Sequence, residues 1–127
     1  DSLKPNFRNS IKQSCGMLAK GWLAGLQFAA ILEDDLYFKI ARKANEQADR
    51  VKRALAAAGI PLAYETFTNQ VFAVFTSEQR TELERDFALE IEGEQDGGHV
   101  MRICTSWATK DADIDALVAA IAKLGKR

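Results

Sequence analysis

Pro61 divides this chain into two textures, and that division constrains the fold more than any other feature. Before it, apolar residues recur every three or four positions; after it, they gather in short runs rich in valine, isoleucine and phenylalanine. The first spacing belongs to helices that bury one face, the second to strands. From Asn9 to Ile31 the apolar positions predict one helix, punctuated by Gly16, Gly21 and Gly25. Each glycine weakens a helix by about 1 kcal/mol, so Gly21 and Gly25, on one face, are expected to admit another backbone at close range. A second helix is expected to start at Asp34 or Asp35 and to present Leu36, Ile40, Ala44, Ala48, Val51 and Leu55 on one face. It should stop at Gly59 and Pro61. The mixed charges from Lys39 to Arg53 form its solvated side.

After Pro61, Ala63 to Thr66 admits a strand, and Gln70 to Phe75 predicts one from its valine and phenylalanine content. Thr76-Ser77-Glu78-Gln79 fits a capping box that opens a short helix to about Asp86. Phe87, Leu89 and Ile91 alternate with Ala88, Glu90 and Glu92, the pattern of a strand with one buried and one wetter face. The Asp96-Gly97-Gly98 turn then leads into a strand through Val100-Met101-Arg102-Ile103-Cys104, so these two strands should form a hairpin. A last helix is expected with Thr109 as cap and Asp111 and Asp113 in its first turn. Ile114, Leu117, Val118, Ile121 and Leu124 give it an apolar face, and Lys123, Gly125 and Lys126 close it. The order predicts an α+β arrangement: two long helices in residues 1–60, then a small α+β domain in 61–127 with a mostly antiparallel sheet covered by helices.

A length of 127 residues suits one structural unit with a useful core. Hydrophobic residues at 47% and charged residues at 28% exclude disordered and fibrous classes. The net charge of -1 gives no basis for a nucleic-acid or membrane partner. The clean apolar run after Lys20 is too short to cross a bilayer. Cys15 and Cys104 are expected to be buried thiols of a reducing compartment. A start at Asp1 without methionine, followed at once by a strongly apolar helix, leads us to expect a piece of a longer polypeptide.

Arg102 stands out chemically. A guanidinium in an apolar strand needs an anion, supplied either by another part of the protein as a structural ion pair or by a ligand. Lys20, set in an apolar segment, must pair or reach solvent. His99, the one histidine, is expected to be exposed at a strand edge. The sequence has no zinc-ligand spacing, phosphate-binding glycine loop or nucleophile elbow.

Three stretches taken together carry a resemblance. They are Ile11-Lys12-Gln13 with Gly16-Met17-Leu18-Ala19-Lys20-Gly21; Thr68-Asn69-Gln70 with Phe72; and Arg102-Ile103-Cys104-Thr105-Ser106-Trp107-Ala108-Thr109. With Leu32 to Phe38 and Ala41 to Asn45 between the first two, they resemble the C-terminal part of the threonine aldolase and aromatic β-eliminating lyase family, nearest to its low-specificity threonine aldolase branch. The resemblance implies a fold-type I enzyme dependent on pyridoxal 5'-phosphate, cytoplasmic and homodimeric or homotetrameric. This chain would be its small C-terminal domain plus the helices leading to the large one. It implies that the Schiff-base lysine lies in a segment outside these residues, so that the chain alone is inactive. It also implies that Arg102 binds the substrate α-carboxylate and that Lys12 and Lys20 lie near the cofactor phosphate. Thr105, Ser106 and Trp107 would support the arginine. The implied reaction is retro-aldol cleavage of a β-hydroxy-α-amino acid, with β-elimination of the tyrosine phenol-lyase kind as the alternative. A stand-alone, non-enzymatic binding or oligomerisation module is the reading from another class.

Overall fold

The structure, a computed structural model, describes Ser2 and residues 4–125; Asp1 and Lys126 lie outside the described residues. By its internal contacts the chain forms two compact units, Asp1–Tyr37 and Phe38–Arg127.

In the first unit the expected single helix is two helices, α1 (Phe7–Gln13) and α2 (Gly21–Leu32). The break has a local cause. Cys15 takes a left-handed conformation (φ 56°), its N–H donates to the Lys12 carbonyl at 3.0 Å, and the Gly16 N–H donates to the Ile11 carbonyl at 2.8 Å. These two bonds are the Schellman arrangement that ends a helix, here with cysteine where glycine is usual. Gly21 and Gly25 do not meet another backbone: a methyl group on Gly25 would find nothing within 4 Å, and one on Gly21 only the Leu18 Cβ at 3.7 Å. No residue of α2 is buried, so the close packing that those glycines suggested is not met among the described residues. A single turn of 3₁₀ helix, Glu33–Asp35, then leads into α3 (Leu36–Ala57).

The second unit holds the core. Helix α3 buries Ala44, Gln47, Ala48, Val51 and Leu55, nearly the face expected, although Leu36 is exposed. Its end is a second Schellman arrangement: Gly59 sits at φ 70°, its N–H donates to Ala56, and the Ile60 N–H donates to Leu55 at 3.0 Å. Leu55 and Ile60 both enter the core, the apolar contact that accompanies this motif.

Three strands follow, β1 (Gln70–Phe75), β2 (Glu90–Gln95) and β3 (Gly98–Cys104), with α4 (Ser77–Leu83) after β1 and α5 (Asp111–Leu124) at the end. The sheet is antiparallel in the order β1-β3-β2, so the strand carrying Arg102 is central. The expected strand at Ala63 to Thr66 is absent; only Leu62 bridges to Ala73, and this short pairing covers the outer edge of β1. The capping box is present: the Gln79 N–H donates to Thr76 Oγ1 at 3.2 Å and the Thr76 N–H donates to Gln79 Oε1 at 3.0 Å. The Asp96-Gly97 turn closes the hairpin with both residues at positive φ, the type I′ geometry that matches strand twist. Thr109 does not cap α5; Lys110 holds that position, because the Thr109 hydroxyl instead accepts from the Ser106 N–H at 2.9 Å.

Val71, Ala73 and Phe75 of β1 and Met101 and Ile103 of β3 alternate onto one face, where they share a core with Val51 and Leu55 of α3, Leu83 of α4 and Ile114, Leu117, Ile121 and Leu124 of α5. Gly125 completes the closure, since a Cβ there would come within 2.7 Å of the Ala58 backbone. No helix among the described residues is long and apolar enough to cross a membrane.

Candidate functional site

Alternation along β3 decides where its arginine goes. With Met101 and Ile103 turned to the core, Arg102 lies on the opposite, open face of the sheet. The strand is therefore open on that face at Arg102 and Cys104, although Val100, on the same face, is buried as the apolar run suggested. Phe72 of β1 and Glu90 of β2 are the direct cross-strand neighbours of Arg102. Tyr64 packs edge-on against Phe72, with ring centroids 5.5 Å apart, and adds an aromatic border.

The arginine finds its anions within the hairpin. One guanidinium nitrogen pairs with Glu90, the other with Glu92 at 3.1 Å. A bulge makes both contacts available. Continued unbroken from the Asp96-Gly97 turn, the ladder would set Ile91 opposite Arg102; the irregularity between Ile91 and Gly93 inserts Glu92 as an extra residue and brings Glu90 opposite instead. The side chains are 31% exposed for Arg102, 70% for Glu90 and 36% for Glu92. Pairs this wet are worth at most about 1 kcal/mol, so a competing carboxylate can open them.

A cavity of about 610 Å³ adjoins this point, where β2 has ended and β3 continues. It is bounded by residues 87–90, residues 102–105 and the first turns of α5, and its size suits a small ligand. Cys104 is on its wall. Both cysteines are free and exposed, which corrects the expectation that they are buried.

The floor beneath the arginine is tied down by Thr105, which is 1% exposed. Its hydroxyl donates to the Ala44 carbonyl of α3 at 2.7 Å, its N–H donates to the Asn69 carbonyl at 3.1 Å, and Asn69 Nδ2 donates back to the Thr105 carbonyl at 2.6 Å. Gln47 of α3 donates to the Thr109 carbonyl at 3.1 Å and to Asp111 at 3.0 Å, fixing the start of α5. Trp107 projects outward and is exposed.

Lys12, in the last turn of α1, and Lys20 belong to the first unit, and both are exposed. Lys20 is not inside a helix; it precedes α2 at the N-cap, because the chain has left helical geometry between Ser14 and that point. His99 is half-buried, with Nε2 3.1 Å from the Ser77 hydroxyl. The residues that sequence reasoning did not connect to Arg102 are Glu90 and Glu92. Their alternation on a wetter strand face was visible, but the bulge that aims both at one guanidinium was not.

No protein-family model matches the chain, and no curated protein matches it. Among solved structures, a Leishmania major threonine aldolase superposes with a TM-score of 0.82 and 38% sequence identity over 98% of this chain. This chain is similar to part of a threonine aldolase. The match bears out the resemblance to the C-terminal part of the threonine aldolase family and the α+β, fold-type I class read from it. The threonine aldolase-like segment spans 37% of the length of that relative.

Proposed function

We propose that this chain is the C-terminal part of a pyridoxal 5'-phosphate-dependent lyase that cleaves β-hydroxy-α-amino acids, threonine into glycine and acetaldehyde, by a retro-aldol reaction. The observation that carries the reading is the 38% identity to a threonine aldolase across nearly the whole chain. In this proposal residues 1–60 are the interdomain helices of a cytoplasmic homodimer or homotetramer, residues 61–127 are its small domain, and the Schiff-base lysine lies outside the chain.

Arg102 is the substrate-binding residue of this reading. A guanidinium fork holds a carboxylate by two parallel N–H donors, which a point charge cannot do. Fixing the α-carboxylate restricts rotation about Cα and so decides which of its bonds is aligned to break. In the retro-aldol direction the β-hydroxyl gives up its proton to a base, its oxygen closes a carbonyl, and the Cα–Cβ electron pair passes to Cα, which is then protonated to give glycine. Pyridoxal phosphate supplies the electron sink for that pair. Of the residues present, Lys12 and Lys20 would suit a share in holding its phosphate, being solvated ammonium groups of the kind that bind one.

The exposed apolar side chains of α2 support a segment of a larger assembly over a stand-alone module, which would cover such a face. The test is product analysis. Full-length protein loaded with pyridoxal phosphate and given threonine should release acetaldehyde and glycine in equal amounts; ammonia and a 2-keto acid would move the assignment to the β-eliminating lyases.

A further inference from the structure

Two carboxylates on one guanidinium overcompensate its charge, so the site as folded carries a net negative charge and repels a third carboxylate. A clamp arranged in this way must release one acid before it can bind. The two acids are not equivalent. Glu90 is 70% exposed, lies in the regular ladder directly opposite Arg102, and pairs with one terminal nitrogen. Glu92 is 36% exposed, has no opposite residue on β3 because it is the extra residue of the bulge, and pairs with the other terminal nitrogen at 3.1 Å. The more solvated partner is the one that water can replace at low cost, and the more enclosed one keeps the plane of the fork fixed.

We infer that the β2 bulge gives Arg102 two positioning residues with different fates: Glu92 stays on the guanidinium and orients it, while Glu90 holds the place of the substrate α-carboxylate and yields to it. The inference rests on the reading of Arg102 as the clamp. Glu90 acts as a built-in competitor that sets how tightly an amino acid is held, and it keeps the fork paired when no substrate is present. Bulges beside binding sites commonly re-aim a side chain, and this one adds a second carboxylate where a regular hairpin would have offered Ile91.

The test compares Glu90→Gln, Glu92→Gln and Arg102→Ala in the full-length enzyme loaded with pyridoxal phosphate, with threonine as substrate. Removing the competitor in Glu90→Gln should lower KM about threefold, the change falling on KM rather than kcat. Glu92→Gln should raise KM and lower kcat/KM, because the fork loses its orienting partner. In the chain of 127 residues, acetate titrated against the Arg102 side-chain NMR signals should rank the variants in the same order without cofactor or turnover. If Arg102→Ala raises KM but Glu90→Gln leaves KM and acetate affinity unchanged, the pair is purely structural and this inference fails while the clamp stands. Matching shifts in the two glutamine variants would overturn it equally. If Arg102→Ala leaves KM unchanged, the clamp reading fails and takes the inference with it.

Discussion

Thr105 shows how a single side chain can hold three segments in register. Its hydroxyl reaches α3 in a bond out of water, and its backbone is locked to the half-buried Asn69. Thr105→Val keeps the shape and deletes the hydroxyl, so it should destabilise the fold by about 1–2 kcal/mol. A urea midpoint lowered at unchanged slope would bear this out, and an unchanged midpoint would contradict it. Arg102 was legible in the sequence because a guanidinium in an apolar run demands an explanation. Its partners were not, since pairing it with Glu90 rather than Ile91 depends on one inserted residue, and sequence alternation carries no record of where a ladder slips.

Helices and strands with strong local signals were readable to within a few residues. The capping box at Thr76, the glycine end of α3 and the Asp96-Gly97 turn each rest on chemistry confined to four or five neighbouring positions, and all three are present. The failures came where a local bond competed with a periodic pattern. Apolar spacing ran through Cys15 and Gly16, but the Schellman bonds there end α1, and the Ser106–Thr109 hydrogen bond takes away the hydroxyl expected to cap α5. The bulge in β2 makes a separable prediction. Deleting Glu92 should leave Ile91 opposite Met101 and Glu90 opposite Arg102, with the ladder straightened and one carboxylate lost. Cross-strand NOEs between those pairs check it; a slip that brings Ile91 opposite Arg102 would show that Glu92 is not the extra residue.

The whole chain combines a closed core in the second unit with a first unit in which Trp22, Leu26 and Phe28 are each at least 60% exposed. A helix of that composition in water associates with whatever apolar surface it meets. The chain by itself should therefore sediment above monomer mass with rising concentration, and Leu26→Lys with Phe28→Lys should return it towards monomer; a wild-type chain that stays monomeric throughout would contradict this.

In the proposed function Arg102 is the group that receives the substrate carboxylate, and the most direct measurement is kcat/KM for threonine cleavage by full-length enzyme carrying Arg102→Ala. Losing a bidentate, charge-assisted contact should reduce it by roughly 100-fold. A value close to that of the unaltered enzyme, with acetaldehyde still formed, would show that the carboxylate is held elsewhere and that the arginine belongs only to its hairpin.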